Sequence, residues 1–131
     1  MSRYMLDTDT VSFALRGQGR AAGRILEHLP SELCISSITL AELRFGAESR
    51  HSKKLHALIT TFVGSVQAVS FGAAAADRFG EVAAALARRG EPIGTLDTLL
   101  AAHALSLDLT FVSGNAKHFA RVAGLKTESW A

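Results

Sequence analysis

Tyr4-Met5-Leu6-Asp7-Thr8-Asp9-Thr10-Val11 is the stretch that decides the fold. A short apolar run is stopped by an acid. Such a run, without polar alternation, reads as a strand buried on both faces, as in a parallel sheet. A helix from Asp9 to Arg16 follows, with Val11, Phe13 and Ala14 apolar. Asp7 therefore stands where a first strand ends and a helix begins.

Working outward, the same strand-then-helix pattern recurs. Arg20 to Leu29 is amphipathic and is ended by Pro30, and Arg16, Arg20 and Arg24, four apart, read as one basic helical face. Leu33 to Ser36 is a second strand. Helices follow over Thr39–Ala47 and Ser52–Val63, then a strand over Val66–Val69. Phe71 to Arg89 is a long Ala-rich helix closed by Gly90, with Pro92 just beyond. Leu96–Leu107 is a further helix and Thr110–Ser113 a strand. A helical turn at Asn115–Ala120 and an edge strand at Lys126–Glu128 complete the chain. The alternation predicts an α/β fold: a mainly parallel sheet of four to five strands with helices on both faces. In such sheets chemistry gathers beyond the carboxyl ends of the strands.

At 131 residues, 48% of them hydrophobic, the chain reads as a single domain, residues 1–131, able to build a core without disulfides. A lone cysteine, Cys34, excludes a cysteine zinc site and suits a reducing cytoplasm. An acid at position 7 leaves no room for a signal peptide, and no apolar run is long enough to span a membrane. The net charge of +2 is too small to imply nucleic acid by itself.

Four polar side chains are expected at the carboxyl edge. Asp7 ends strand one, Glu42 lies in the first turn of the helix after strand two, Asp97 opens the helix before strand four, and Asn115 follows strand four. Converging carboxylates repel unless a cation compensates. Hard oxygen donors suit Mg²⁺ or Mn²⁺. The reaction class that follows is metal-assisted phosphodiester hydrolysis.

Each residue also has a purely structural reading. Thr39-x-x-Glu42 matches a capping box, Thr95 is placed to cap the helix bearing Asp97, and Asn115 is an N-cap candidate. Asp7 is harder to explain as a cap alone. His103, six residues after Asp97, falls on another helical face and reads as a packed histidine. His118 reads as a surface histidine within reach of phosphate, Cys34 as a core residue, and Trp130 as a lid packing the C-terminus down. Arg50, Lys53 and Lys54 form one basic group. Arg88, Arg89, Lys117 and Arg121 form another near the carboxyl edge, and together such groups track a phosphate backbone.

Four ordered segments then carry a resemblance. Met5-Leu6-Asp7-Thr8-Asp9, Ile38 to Ala47 with Glu42, Ala87 to Ala104 with Asp97, and Val112 to Phe119 with Asn115 resemble the motifs of PIN-domain VapC toxins, from residue 4 to Trp130. The resemblance implies a PIN-like three-layer α/β/α sandwich. It implies an Mg²⁺- or Mn²⁺-dependent endoribonuclease toxin of a type II toxin–antitoxin pair, with metal ligation at Asp7, Glu42 and Asp97. Asn115 matches a position that is Asp in many PIN domains. A homodimer is implied, as is a VapB-like antitoxin that blocks the site; Phe45, Leu58 and Phe62 are candidate contacts for it. The family cuts structured RNA, initiator tRNA among its substrates, in the prokaryotic cytoplasm. Asp9 stands where Asn is commoner and offers a further oxygen ligand or a cap. Ser113 and Gly114 also depart from the commoner residues.

Two other readings compete. Asp7-Thr8-Asp9-Thr10-Val11 also fits the first motif of haloacid-dehalogenase-like phosphatases, with Asp7 as nucleophile, although the later acids of that family are missing. A non-catalytic PIN module that binds RNA or a partner is the other.

Overall fold

The computed structural model describes residues 2–131. Five strands form one sheet: β1 (Tyr4–Leu6), β2 (Leu33–Ser36), β3 (Gln67–Val69), β4 (Thr110–Val112) and β5 (Thr127–Glu128), in the order β3-β2-β1-β4-β5. Every adjacent pair is parallel, with Leu6 opposite Ile35 on one side and Val112 on the other. The chain runs outward from β1 to β3, then returns to place β4 on the opposite side of β1. The crevice at the carboxyl ends of β1 and β4 is therefore the switch point where such sheets bind ligands.

The alternation of side chains along each strand divides the apolar residues into two cores. Met5, Cys34 and Phe111 face one layer, built from α5 (Ala73–Arg88), α6 (Thr95–Ser106) and the short α7 (Ala116–Phe119). Leu6, Leu33, Ile35 and Val112 face the other, built from α1 (Thr8–Leu15), α2 (Ala21–Leu26), α3 (Ser37–Ser49) and α4 (Lys53–Val63). This is the expected three-layer sandwich. Trp130, 1% exposed, closes the second core beside Tyr4 and His28, so the C-terminus is packed down as read. No helix among the described residues is long and apolar enough to cross a membrane.

The differences from the sequence reading lie at helix ends. The helix read over Arg20–Leu29 stops at Leu26, because Leu26 and Leu29 find no core and stay exposed; Pro30 then opens a 3-10 turn to Glu32. Arg16, Arg20 and Arg24 do not share one helical face. Gly17 and Gly19, both at positive φ, turn the chain between α1 and α2. The third helix begins at Ser37, capped by Ser36, whose Oγ accepts the Ile38 N–H at 3.1 Å. Thr39 is thus buried inside the helix and is no N-cap, and Glu42 lies in the second turn, so the capping-box reading falls. Likewise α6 is preceded by Gly94 in the cap position, and Thr95 is its first helical residue.

Candidate active site

Asp7 occupies the switch point. Its N–H donates to the Val112 carbonyl at 2.9 Å, extending the β1–β4 ladder by one residue. Its backbone is still extended, which makes it the N-cap of α1, and its Oδ1 accepts the Thr10 N–H at 2.8 Å. The cap reading is therefore correct, but it leaves the second oxygen and the burial unexplained. Asp7 is only 8% exposed. Burial pushes its carboxyl above the ordinary carboxylate range; hydrogen bonds from the Thr10 and Ser113 hydroxyls and the Thr10 amide pull it back, and Asp9 raises it further.

Ser113 is fully buried at the end of β4. Its Oγ accepts the Asn115 N–H at 3.0 Å, and its hydroxyl lies near enough to the Asp7 carboxyl to favour the ionised form. One small side chain thus ties the first motif to the fourth. Asn115 itself is the N-cap residue of α7, but its side chain makes no capping hydrogen bond and remains exposed. Asp9, exposed in the first turn of α1, is not the cap.

Thr8 joins Asp7 to the second acid. Its Oγ1 donates to Glu42 Oε1 at 2.6 Å, with Thr39 Oγ1 3.2 Å away. The single Thr8 proton is committed to the carboxylate, so Thr39 donates to Thr8. This chain orients Glu42 from α3 toward the start of α1.

Asp97 is held from another direction. Its Oδ2 lies 2.9 Å from His118 Nε2, which is also 2.8 Å from the Ile93 carbonyl oxygen. His118 is therefore not a free surface histidine: its side chain is 24% exposed and engaged. His103 is the packed histidine expected, 1% exposed, with Nδ1 2.8 Å from Ser36 Oγ.

Three residues that carry these contacts were not singled out as site residues by the sequence: Thr8, Ser113 and His118. Thr8 and Ser113 adjoin a strand-terminal acid or end a strand themselves, and that position was the available signal. For His118 the sequence held only its proximity to Asn115.

Asp7 and Glu42 have no Lys or Arg partner among the described residues, although seven other carboxylate contacts with Lys or Arg form there. The uncompensated donors are carboxylate oxygens, the chemistry that suits a hard divalent ion. No three His, Cys, Asp or Glu side chains among the described residues are gathered into a cage. The structure therefore does not draw Asp7, Glu42 and Asp97 into one three-ligand cluster; the two acids it links are Asp7 and Glu42, through Thr8 next to Asp7.

At the α7 end lies a depression of about 510 Å³, lined by Arg89, Glu91, Lys117, Ala120, Arg121 and Ala123. Glu91 is shared by Arg89 and Arg121, at 3.4 and 3.9 Å. The rim keeps a positive excess, as read for this group.

The model of the PIN domain family matches residues 4–125. The chain is 38% identical over 132 residues to the tRNA(fMet)-specific endonuclease VapC of Shigella flexneri, covering all of both chains. It is 36% identical over 131 residues to Ribonuclease VapC2 of Haemophilus influenzae, covering 99% of each. The DNA-bound VapBC structure from Salmonella typhimurium superposes with a TM-score of 0.93 at 35% identity over 100% of both chains. The match is to the PIN domain and not to the haloacid-dehalogenase-like phosphatases that the first motif also fits. With an acid at the switch point of its parallel sheet and relatives spanning its whole length, the chain belongs to the PIN-domain VapC family.

Proposed function

We propose that this protein is an endoribonuclease toxin that hydrolyses phosphodiester bonds in structured RNA with Mg²⁺ or Mn²⁺ held by Asp7, Glu42 and Asp97. The observation that carries the reading is the buried Asp7 carboxyl at the switch point, linked through Thr8 to Glu42, with no basic partner for either acid among the described residues. A fold needs no such pair, and isolated buried charge is costly. A hard divalent ion, when bound, supplies polarisation of the phosphoryl oxygens and acidification of water.

The chain's own residues do the rest. Ser113 and Thr10 hold Asp7 in one orientation, Thr8 holds Glu42, and Asn115 presents an uncommitted amide at the same edge. Lys117, Arg121 and Arg89 offer the flanking phosphates a cationic rim. Water attack without the 2′-hydroxyl leaves a 3′-hydroxyl and a 5′-phosphate. By likeness to the Shigella flexneri relative, the substrate is a tRNA, the initiator tRNA first among candidates.

A VapB-like antitoxin is inferred as the restraining partner, because similar chains stand in VapBC complexes; a homodimer in the prokaryotic cytoplasm completes the proposal. Phe45, 74% exposed on α3, is a contact such a partner would cover. Brief induced expression, followed by sequencing of 5′-phosphate RNA ends, tests the activity. Discrete new ends with the wild type and none with Asp7→Asn support it. Identical ends in both overturn it.

A further inference from the structure

We propose that His118 is a positioning residue for Asp97, holding one carboxylate oxygen so that the other is presented to the cation. The inference rests on the reading of Asp97 as a metal ligand. His118 Nε2 stands 2.8 Å from the Ile93 carbonyl oxygen, which can only accept, so Nε2 carries the hydrogen. The same N–H is shared with Asp97 Oδ2 at 2.9 Å. Oδ1 of Asp97 takes part in no hydrogen bond among the described residues, and 40% of the side chain is exposed.

The ring that makes this bond is fixed from below. It packs edge-on against Phe119, with centroids 5.4 Å apart, and Phe119 is buried edge-to-face on Phe111 at 4.8 Å. The partner of the bond is fixed as well. Arg121, also at the α7 end, donates to the Pro92 carbonyl at 3.4 Å, and Thr98 Oγ1 donates to the Gly94 carbonyl at 2.6 Å. Residues 92–94 and the first turn of α6 are thus gripped through three successive carbonyls. A tie between helix and loop would need only the Ile93 contact. Extension of the same N–H to the carboxylate adds little stability in so exposed a place. Ligating carboxylates elsewhere are oriented by hydrogen bonds of this kind, and losing one weakens metal affinity about tenfold to a hundredfold.

The test is Mn²⁺ binding to the purified chain, read by EPR of free Mn²⁺, with melting temperature measured on each variant. His118→Ala is expected to raise the Mn²⁺ Kd by about tenfold to a hundredfold. His118→Gln, whose amide N–H reaches the place of Nε2, is expected to stay within about threefold of wild type. Asp97→Asn is the reference loss. Wild-type affinity in His118→Ala, with the loss present in Asp97→Asn, overturns the positioning role and leaves the metal assignment standing. Wild-type affinity in Asp97→Asn overturns the assignment and the inference together. Equal losses in Ala and Gln, or a nitrogen coupling to bound Mn²⁺ in pulsed EPR that His118→Ala abolishes, also overturn positioning, the latter by making His118 a direct ligand.

Discussion

Asp7 and Asp97 carry the same carboxylate, yet the molecule treats them differently. Asp7 is buried, and its hydrogen bonds come from Thr10, three residues on, and from Ser113 on the adjacent strand. Asp97 leaves 40% of its side chain exposed and is held by His118, 21 residues later on a four-residue helix. The first half of the proposed site is built into the sheet and its hydrogen-bond ladder. The second is assembled by a loop and a short helix folded over it. The contrast is between an anchor buried in the sheet and an exposed arm held by side-chain hydrogen bonds.

The largest expected effect tests the anchor. Asp7→Asn should lower RNA cleavage on the order of 10³-fold, since several kcal/mol of charge stabilisation are lost at about 1.4 kcal/mol per tenfold. The same variant should melt higher than wild type. Burial raises the Asp7 carboxyl above its unfolded value, so the native state binds the proton more readily. Stability from this group is present at low pH and is lost as pH rises through the folded pKa; at neutral pH the ionised group destabilises, and a neutral amide relieves that. Calorimetry of both proteins without metal checks it. Asn caps a helix as well as Asp does, so a lower melting temperature in Asp7→Asn would mean that the ionised carboxylate does not destabilise the native state. Next in size, Thr8→Val should lower cleavage about tenfold to a hundredfold by freeing Glu42. Unchanged kinetics would show that Glu42 needs no support from α1.

The same contrast explains what was legible. Tyr4-Met5-Leu6 before Asp7 announced both a buried strand and a strand-terminal acid, because a parallel sheet buries consecutive residues and ends them abruptly. Helix α6 was equally clear from its Ala and Leu spacing. The Asp97 arm was not. The contact between His118 and Asp97 depends on the path of residues 90–94, and two positive-φ glycines at its ends, Gly90 and Gly94, set that path without any side chain to signal it. The Thr39–Glu42 spacing misled for a related reason. Ser36, three residues earlier at the end of the strand, takes the cap, so the helix starts on Ser37 and frees Thr39 to reach Thr8.

One substitution in each half sharpens the comparison further. Gly94→Ala should cost about 1–3 kcal/mol in urea unfolding, because φ of 94° is closed to an L side chain even where space is open. Gly46→Ala, in the interior of α3 with nothing within 4 Å of the added Cβ, should instead stabilise by about 0.4–1 kcal/mol. The same chemical change then has opposite signs on the two sides. Equal signs would erase the distinction between a strained arm and an ordinary helix.

The smallest effect concerns a buried side chain that joins the halves. His103, on the helix of Asp97, bonds Ser36, which caps the helix of Glu42. Burial pushes its imidazole below the ordinary histidine range, while a backbone hydrogen bond to Ser70 pushes the other way. The native state therefore favours neutral His103, and the unfolded chain binds the proton first. Stability is expected to be full above the unfolded value, about 6.5, and to decline as pH falls through it. Melting curves at pH 7.5 and 5.5 should show a drop of a few degrees for the wild type and a smaller one for His103→Gln. An amide in place of the imidazole keeps a polar side chain there without titrating and so separates the proton from the packing. If both proteins lose stability equally on acidification, the slope arises in the exposed histidines and not at the junction of the two halves.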